Sequence, residues 1–235
     1  MRNRQALLFD HLARGGCLYR YSSESITTVN SLVSRKHHVL DVGCGDGTIA
    51  AALDGEFIVG VEISSRCARL TAQKGLKTVI ADAVAGLPFA AASFDTIYCI
   101  DVLHHLGQAW AGALGECDRL LRQGGVIVII EPDARNAFVR WTQAPGSPIR
   151  VAPFDDEPAI YPDRLLPHLQ RRGYCCECRP FQFDACQAVR DVFPMWQRLL
   201  KAPVVMTLAW WFRRVPNKFL IMARKSDGAG EAARR

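Results

Sequence analysis

Between residues 37 and 132 five short apolar runs recur, and each ends in glycine or an acid. The run 39–42 leads into Gly43-Cys44-Gly45-Asp46-Gly47, and 57–61 leads into Glu62. The run 78–81 leads into Asp82, 94–100 into Asp101, and 126–130 into Glu131-Pro132. Continuous apolar runs mark strands buried on both faces, and helical stretches between them are what parallel neighbours need to connect. The pattern predicts an α/β fold with a parallel sheet covered on both sides. Ligands of such sheets bind outside the carboxyl ends of the strands. Residues 43–47, Glu62, Asp82 and 100–105 should therefore line one crevice.

The rest of the chain is read around that frame. Helices are expected over 4–14 and 22–34, the second capped by Ser22 or Ser23, with Tyr19-Arg20-Tyr21 joining them. Others are expected over 48–53, from a Ser64 or Ser65 cap to about 74, over 108–122 with Gly124-Gly125 as the break, and over 162–172. Residues 174–183 and 218–223 read as two more strands. Residues 133–160, with Pro145, Pro148, Pro153 and Pro158, read as an irregular loop, and 186–215 as helical with a break at Pro203. The tail from Ser226 is expected to be disordered.

At 49% hydrophobic the chain is too apolar to be disordered in bulk. Its net charge of +6 hints at an anionic partner. That charge is uneven: 36–133 is net −5, 1–35 is +3 and 134–235 is +8. Nine cysteines at irregular spacing, with no N-terminal stretch that reads as a signal peptide, lead to the expectation of reduced thiols in a cytoplasmic protein. Cys175, Cys176 and Cys178 resemble half a zinc site, but no second cluster completes four ligands, so buried strand thiols are expected and no metal site. The apolar run 202–212 is shorter than the roughly twenty residues that span a bilayer. It is left three uses: packing on the core, lining a greasy tunnel, or lying on a membrane surface.

The glycine turn carries the first chemical signal. Its G-x-G-x-G spacing differs from the G-x-G-x-x-G dinucleotide fingerprint, although such a turn also suits NAD. Asp41 and Asp46 flank it, which would serve a pyrophosphate poorly and a cationic ligand well. Glu62 is placed to accept the hydroxyls of a ribose, and Asp82 to accept from an adenine amine.

Taken in order, Leu40-Asp41-Val42-Gly43-Cys44-Gly45-Asp46-Gly47, Glu62, Asp82-Ala83, Leu87-Pro88-Phe89, Ser93-Phe94-Asp95 and Val102-Leu103-His104-His105-Leu106 resemble the class I S-adenosylmethionine-dependent methyltransferases, in a branch like that of ubiquinone biosynthesis. The resemblance covers about residues 36–132. It implies a Rossmann-like, seven-stranded, mostly parallel sheet with helices on both faces and an antiparallel last strand. It also implies S-adenosyl-L-methionine as cofactor. Asp41, Gly43, Cys44 and Gly45 would hold its methionine part, Glu62 with Ile63 its ribose, Asp82 and Ala83 its adenine, and Ile100 would touch it through backbone. The chain departs from the pattern between its last two strands, where some thirty residues replace a short hairpin. The implied organisation is an N-terminal helical lid over 1–35 and a methyltransferase domain over 36–225. Within that domain the 133–160 loop and a 185–216 helical insertion form a substrate cap, and 226–235 is the tail.

Methyl transfer to oxygen or carbon needs a base, and histidine suits neutral pH. His104 and His105 are the first candidates, with a role in capping or shaping the loop as the alternative. Glu131 and Asp133 come second. Tyr19 and Tyr21 are candidate lid residues. The apolar insertion with Trp196, Trp210 and Trp211 beside Arg198, Lys201, Arg213 and Arg214 favours a small hydrophobic or lipid-like acceptor, with peripheral membrane contact through 196–214. Nucleic acid is disfavoured: residues 99–102 are Cys-Ile-Asp-Val rather than the Asn/Asp-Pro-Pro-aromatic sequence of base-amine methylation, and the basic residues lack interleaved aromatics. Protein methylation, cofactor binding without catalysis, and an NAD-dependent dehydrogenase are the remaining readings.

Overall fold

A computed structural model describes residues 2–13, 21–34, 37–144, 160–182 and 216–227. Seven strands form one sheet: β1 (His38–Val42), β2 (Phe57–Glu62), β3 (Lys77–Ile80), β4 (Phe94–Ile100), β5 (Leu121–Pro132), β6 (Tyr174–Phe181) and β7 (Lys218–Lys225). Their order is β3-β2-β1-β4-β5-β7-β6. The first five are parallel, and β7 runs antiparallel to both β5 and β6. The winding reverses between β1 and β4, so their carboxyl ends open a crevice. This is the expected fold, with the antiparallel last strand.

Alternate residues of the central strands feed two cores. Leu40, Val42, Ile97, Ile127 and Ile129 pack with Leu114 and Leu120 of α4 (Trp110–Leu120) and with Leu165 and Leu169 of α6 (Pro162–Gln170). On the other face Val39, Tyr98, Ile100, Val128 and Ile130 pack with Val29 of α2 (Ser23–Ser31) and with Val33 and Ile49. Each such side chain, taken fully out of water, contributes about 1.5–3 kcal/mol. Two helices are capped as the sequence allowed: Ser22 Oγ accepts from Ser25 N–H at the start of α2, and Ser64 Oγ from Cys67 N–H at the start of α3 (Ser65–Gln73), both at 3.1 Å.

Several expectations are corrected. No α-helix follows the glycine turn. Residues 50–52 make a single 3-10 turn, which ends where Asn30 Oδ1 on α2 takes the Asp54 N–H at 2.8 Å. Gly124 and Gly125 do not break α4, which already stops at Leu120. They lie inside β5, where a Cβ on Gly125 would come within 2.9 Å of the Asp95 carbonyl and where the β4–β5 register slips. The proline-rich stretch contains a short helix, α5 (Ala137–Gln143). The β6 thiols are in a strand but not buried: Cys175 is exposed and Cys176 and Cys178 are half-buried, because β6 is the sheet edge. Cys17 and Cys186, the loop over 145–159, the stretches 183–215 (with the helical insertion and 196–214) and 228–235 lie outside the described residues. Among the described residues no helix is long and apolar enough to cross a membrane.

Candidate functional site

The crevice encloses about 910 Å³ of space, its open mouth included. Asp41, Gly43, Cys44, Gly45, Glu62, Ile63, Asp82, Ala83, Ile100 and His105 all line it. Tyr21 does too, while Tyr19 lies outside the described residues. His104 is not in the lining.

The glycine turn spends its own amides. Gly43 and Cys44 N–H both donate to Val61 carbonyl, at 2.8 and 3.0 Å, and Gly45 N–H to Glu62 Oε2 at 2.9 Å. Gly47 N–H goes to Cys44 carbonyl at 2.9 Å, and Thr48 N–H to Asp46 Oδ1 at 3.1 Å. An anion-binding turn presents such groups to the ligand; this one does not. Asp46, buried, holds the turn through Thr48 and sits 3.6 Å from Lys74 Nζ. Gly43 is left-handed at φ +72, and a Cβ there would meet Val102 Cγ2 at 2.5 Å. The Cys44 thiol points away from the pocket, against Gly60 and Thr71, and burial pushes it up.

Asp41 stands out chemically. It is 3% exposed, and among the described residues no donor reaches its carboxylate. Burial, then the nearby Glu62 charge, push it up to about 7. Burial also raises Glu62, against the N–H groups of Ser64 and Gly45 that its oxygens accept. Asp82 Oδ1 accepts from Val84 N–H at 2.9 Å, which fixes its turn. With Asp101 also in the wall, the pocket's lining holds five carboxylates and, among the described residues, no lysine or arginine. Such a donor set fits a ligand bearing an ammonium, a sulfonium and sugar hydroxyls.

The wall beyond β4 is a second charged cluster. Glu131, fully buried, accepts Val102 and Leu103 N–H at 2.9 and 2.7 Å on Oε1, and pairs with His104 Nδ1 at 2.6 Å on Oε2. Asp101, left-handed at φ +53, accepts from Lys218 Nζ. Asp101, His104 and Glu131 are grouped closely enough to suggest a cation site, but Lys218, His104 and the two backbone N–H groups already serve the carboxylates. The His104 and His105 rings lie 3.8 Å apart, centroid to centroid. Asp133, the other second-choice acid, is bound by Arg135 at 2.8 Å.

The first helix, α1 (Arg2–Leu12), supplies wall residues that sequence reasoning did not single out. Gln5 donates to the His105 carbonyl and Phe9 meets the His105 ring edge-on at 5.2 Å. Asp10 accepts from Ser64 Oγ and Arg66 N–H, at 2.5 and 2.9 Å, adding a second cap to α3. Nothing in the short α1 sequence marks these contacts, which span more than fifty residues. Lys218 carried no signal either.

A family model described as a methyltransferase domain matches residues 40–129. A tRNA (carboxymethyluridine(34)-5-O)-methyltransferase of Arabidopsis thaliana is 30% identical over 127 residues, 47% of this chain and 31% of that protein. A ubiquinone biosynthesis O-methyltransferase of Thiobacillus denitrificans is 35% identical over 95 residues, 37% of this chain and 40% of that protein. The chain thus spans less than half the length of these curated relatives. A SAM-dependent methyltransferase of Thermotoga maritima shares the fold at a TM-score of 0.63 and 15% identity, over 95% of each chain. Matched domain, sheet order and motif order agree: residues 40–129 match the methyltransferase-domain model, and the chain resembles the class I S-adenosylmethionine-dependent methyltransferases in fold and motif order.

Proposed function

We propose that the chain transfers a methyl group from S-adenosyl-L-methionine to an oxygen or carbon of a small, hydrophobic or lipid-like acceptor. The observation that carries the reading is Asp41: a buried carboxylate in the pocket wall, beside Glu62, with no donor within reach among the described residues. A ligand ammonium supplies the missing partner. The amides of Gly43, Cys44, Gly45 and Gly47 argue the same way, since their bonds within the protein withhold all four from the pyrophosphate of NAD.

In this reading Asp41, Gly43, Cys44 and Gly45 surround the methionine part, the last three through backbone. Glu62, with Ile63, takes the ribose, Asp82 and Ala83 the adenine, and Ile100 borders it. The cofactor supplies a methyl already activated by its sulfonium, so the protein's work is positioning and deprotonation. Glu131 holds the His104 Nδ1–H, which turns Nε2 into the acceptor of a proton. His105, packed by Phe9 and Gln5, is a wall of the pocket. The basic C-terminal part and the segment 196–214 meet the acceptor, in the cytoplasm or against a membrane surface.

Isothermal titration with S-adenosylmethionine and with NAD tests the cofactor: S-adenosylmethionine binds and NAD does not. The opposite result sinks the reading. A methylation assay against phenols, quinone precursors, lipids and unmodified tRNA tests the acceptor, with turnover expected in one of the first three arms. Turnover on tRNA alone, the substrate named for one relative, replaces the small-molecule acceptor.

A further inference from the structure

The turn that leaves β4 is held from outside the cofactor half. Asp101 adopts a left-handed backbone at φ +53, a conformation uncommon outside glycine that aspartate enters more readily than most side chains. Strain of this kind persists where the surroundings over-determine it. Three things hold Asp101 here. Its N–H donates to the Ile130 carbonyl at 2.9 Å, the next two N–H groups go to Glu131, and its carboxylate is paired with Lys218. Lys218 is the first residue of β7, and its side chain is 9% exposed. From there it reaches across the end of β5, because β7 pairs with β5 and β5 with β4.

What this turn positions is the cofactor pocket. Asp101 and Val102 are both in the wall. Val102 occupies the space in front of Gly43 that a Cβ would need, so the β4 turn and the glycine turn fit against each other without slack. A shift in Asp101 moves Val102, and a Val102 displaced toward the glycine turn meets Gly43.

We propose that Lys218 is a positioning residue for cofactor binding, acting through its ion pair with Asp101 to keep the β4 turn seated against the glycine turn. This rests on the S-adenosylmethionine reading above. It makes the cofactor site depend on the strand 117 residues further along the chain.

Isothermal titration of S-adenosylmethionine into the full chain, alongside thermal melts, tests it. Lys218→Met strands the Asp101 charge in the strained turn and weakens binding by about tenfold or more, within the range of couplings between contacting residues. Lys218→Arg keeps the pair and stays within about threefold of wild type. Asp101→Gly removes both the charge and the strain. In that background Lys218→Met changes the affinity by less than about threefold, and this comparison decides the matter even if Lys218→Met alone does not fold. A purely structural lysine lowers the melting temperature in both backgrounds and leaves the affinity alone; that outcome overturns the proposal. So does a tenfold loss in the Asp101→Gly background. If wild type itself fails to bind S-adenosylmethionine, it is the cofactor reading that has failed.

Discussion

Two buried carboxylates sit near the carboxyl ends of β1 and β5, on either side of the switch point of the sheet, and their surroundings are opposite. Glu131, at the end of β5, has every need met: two backbone N–H groups on one oxygen and His104 on the other. Asp41, on β1, has no donor among the described residues, and burial beside Glu62 pushes it up to about 7. A carboxylate whose partners are all internal fixes structure. One buried without them is an open demand for a cation. The difference separates the part of the site that holds shape from the part that holds ligand.

The sharpest way to break this comparison is Glu131→Gln. Glutamine Oε1 still accepts the two N–H groups, but His104 loses its carboxylate. Turnover on the acceptor found by assay should fall by roughly 10²–10⁴, with the S-adenosylmethionine affinity within tenfold of wild type. A collapse of affinity instead would show that Glu131 belongs with the ligand groups. Next comes Asp41→Asn. Losing a charged hydrogen bond weakens S-adenosylmethionine by about 100-fold on calorimetry, while the free protein melts higher, since a raised carboxyl is no longer buried. A lower melting temperature would mean that Asp41 stabilises the fold.

The pH dependence is smaller and has a definite sign. Asp41 binds a cation in its ionised form, so affinity should rise about tenfold between pH 6 and 8 and level off above. Because its folded value lies above that of an unfolded aspartate, the free protein holds a proton that the unfolded chain has released. Stability of the free protein therefore falls as pH rises from about 4 to about 7, then flattens. Glu62, also raised, adds to the same trend. An affinity flat across this window removes Asp41 from the ligand. The smallest effect is expected of Tyr98→Phe. Tyr98 lies beside Asp41 in the β1–β4 register, buried, its hydroxyl making no hydrogen bond among the described residues. Its loss should leave affinity within about threefold and stability unchanged or raised by about 1 kcal/mol. A larger drop in affinity would reveal Tyr98 as the donor that Asp41 lacks.

Much of this was legible because β-strand chemistry is local. An apolar run followed by an acid announces both the strand and the residue at its carboxyl end, so Asp41, Glu62, Asp82 and Ile100 fell on one crevice from sequence alone. Legibility stopped where partners come from afar. The Asp10 cap on α3, the Gln5 and Phe9 walls and the Lys218 pair join residues that nothing in the intervening sequence links. The choice between His104 and His105 depended on β5 lying beside β4, which brings Glu131 to His104 and leaves His105 to the pocket. The missed 3-10 turn and the misplaced Gly124-Gly125 break share one cause. A side chain or strand elsewhere, Asn30 in one case and β4 in the other, overrode local propensity.

The sheet order has a consequence for synthesis. β6 leaves the ribosome before β7, yet among the described residues β7 is the only strand it pairs with, and β7 inserts between it and β5. Until β7 emerges, the growing chain carries an open edge on β5 and an unpaired β6. Such edges invite pairing with other chains. A nascent chain stalled before residue 218 is thus expected to be aggregation-prone and a client for chaperones, however well its first five strands have already assembled.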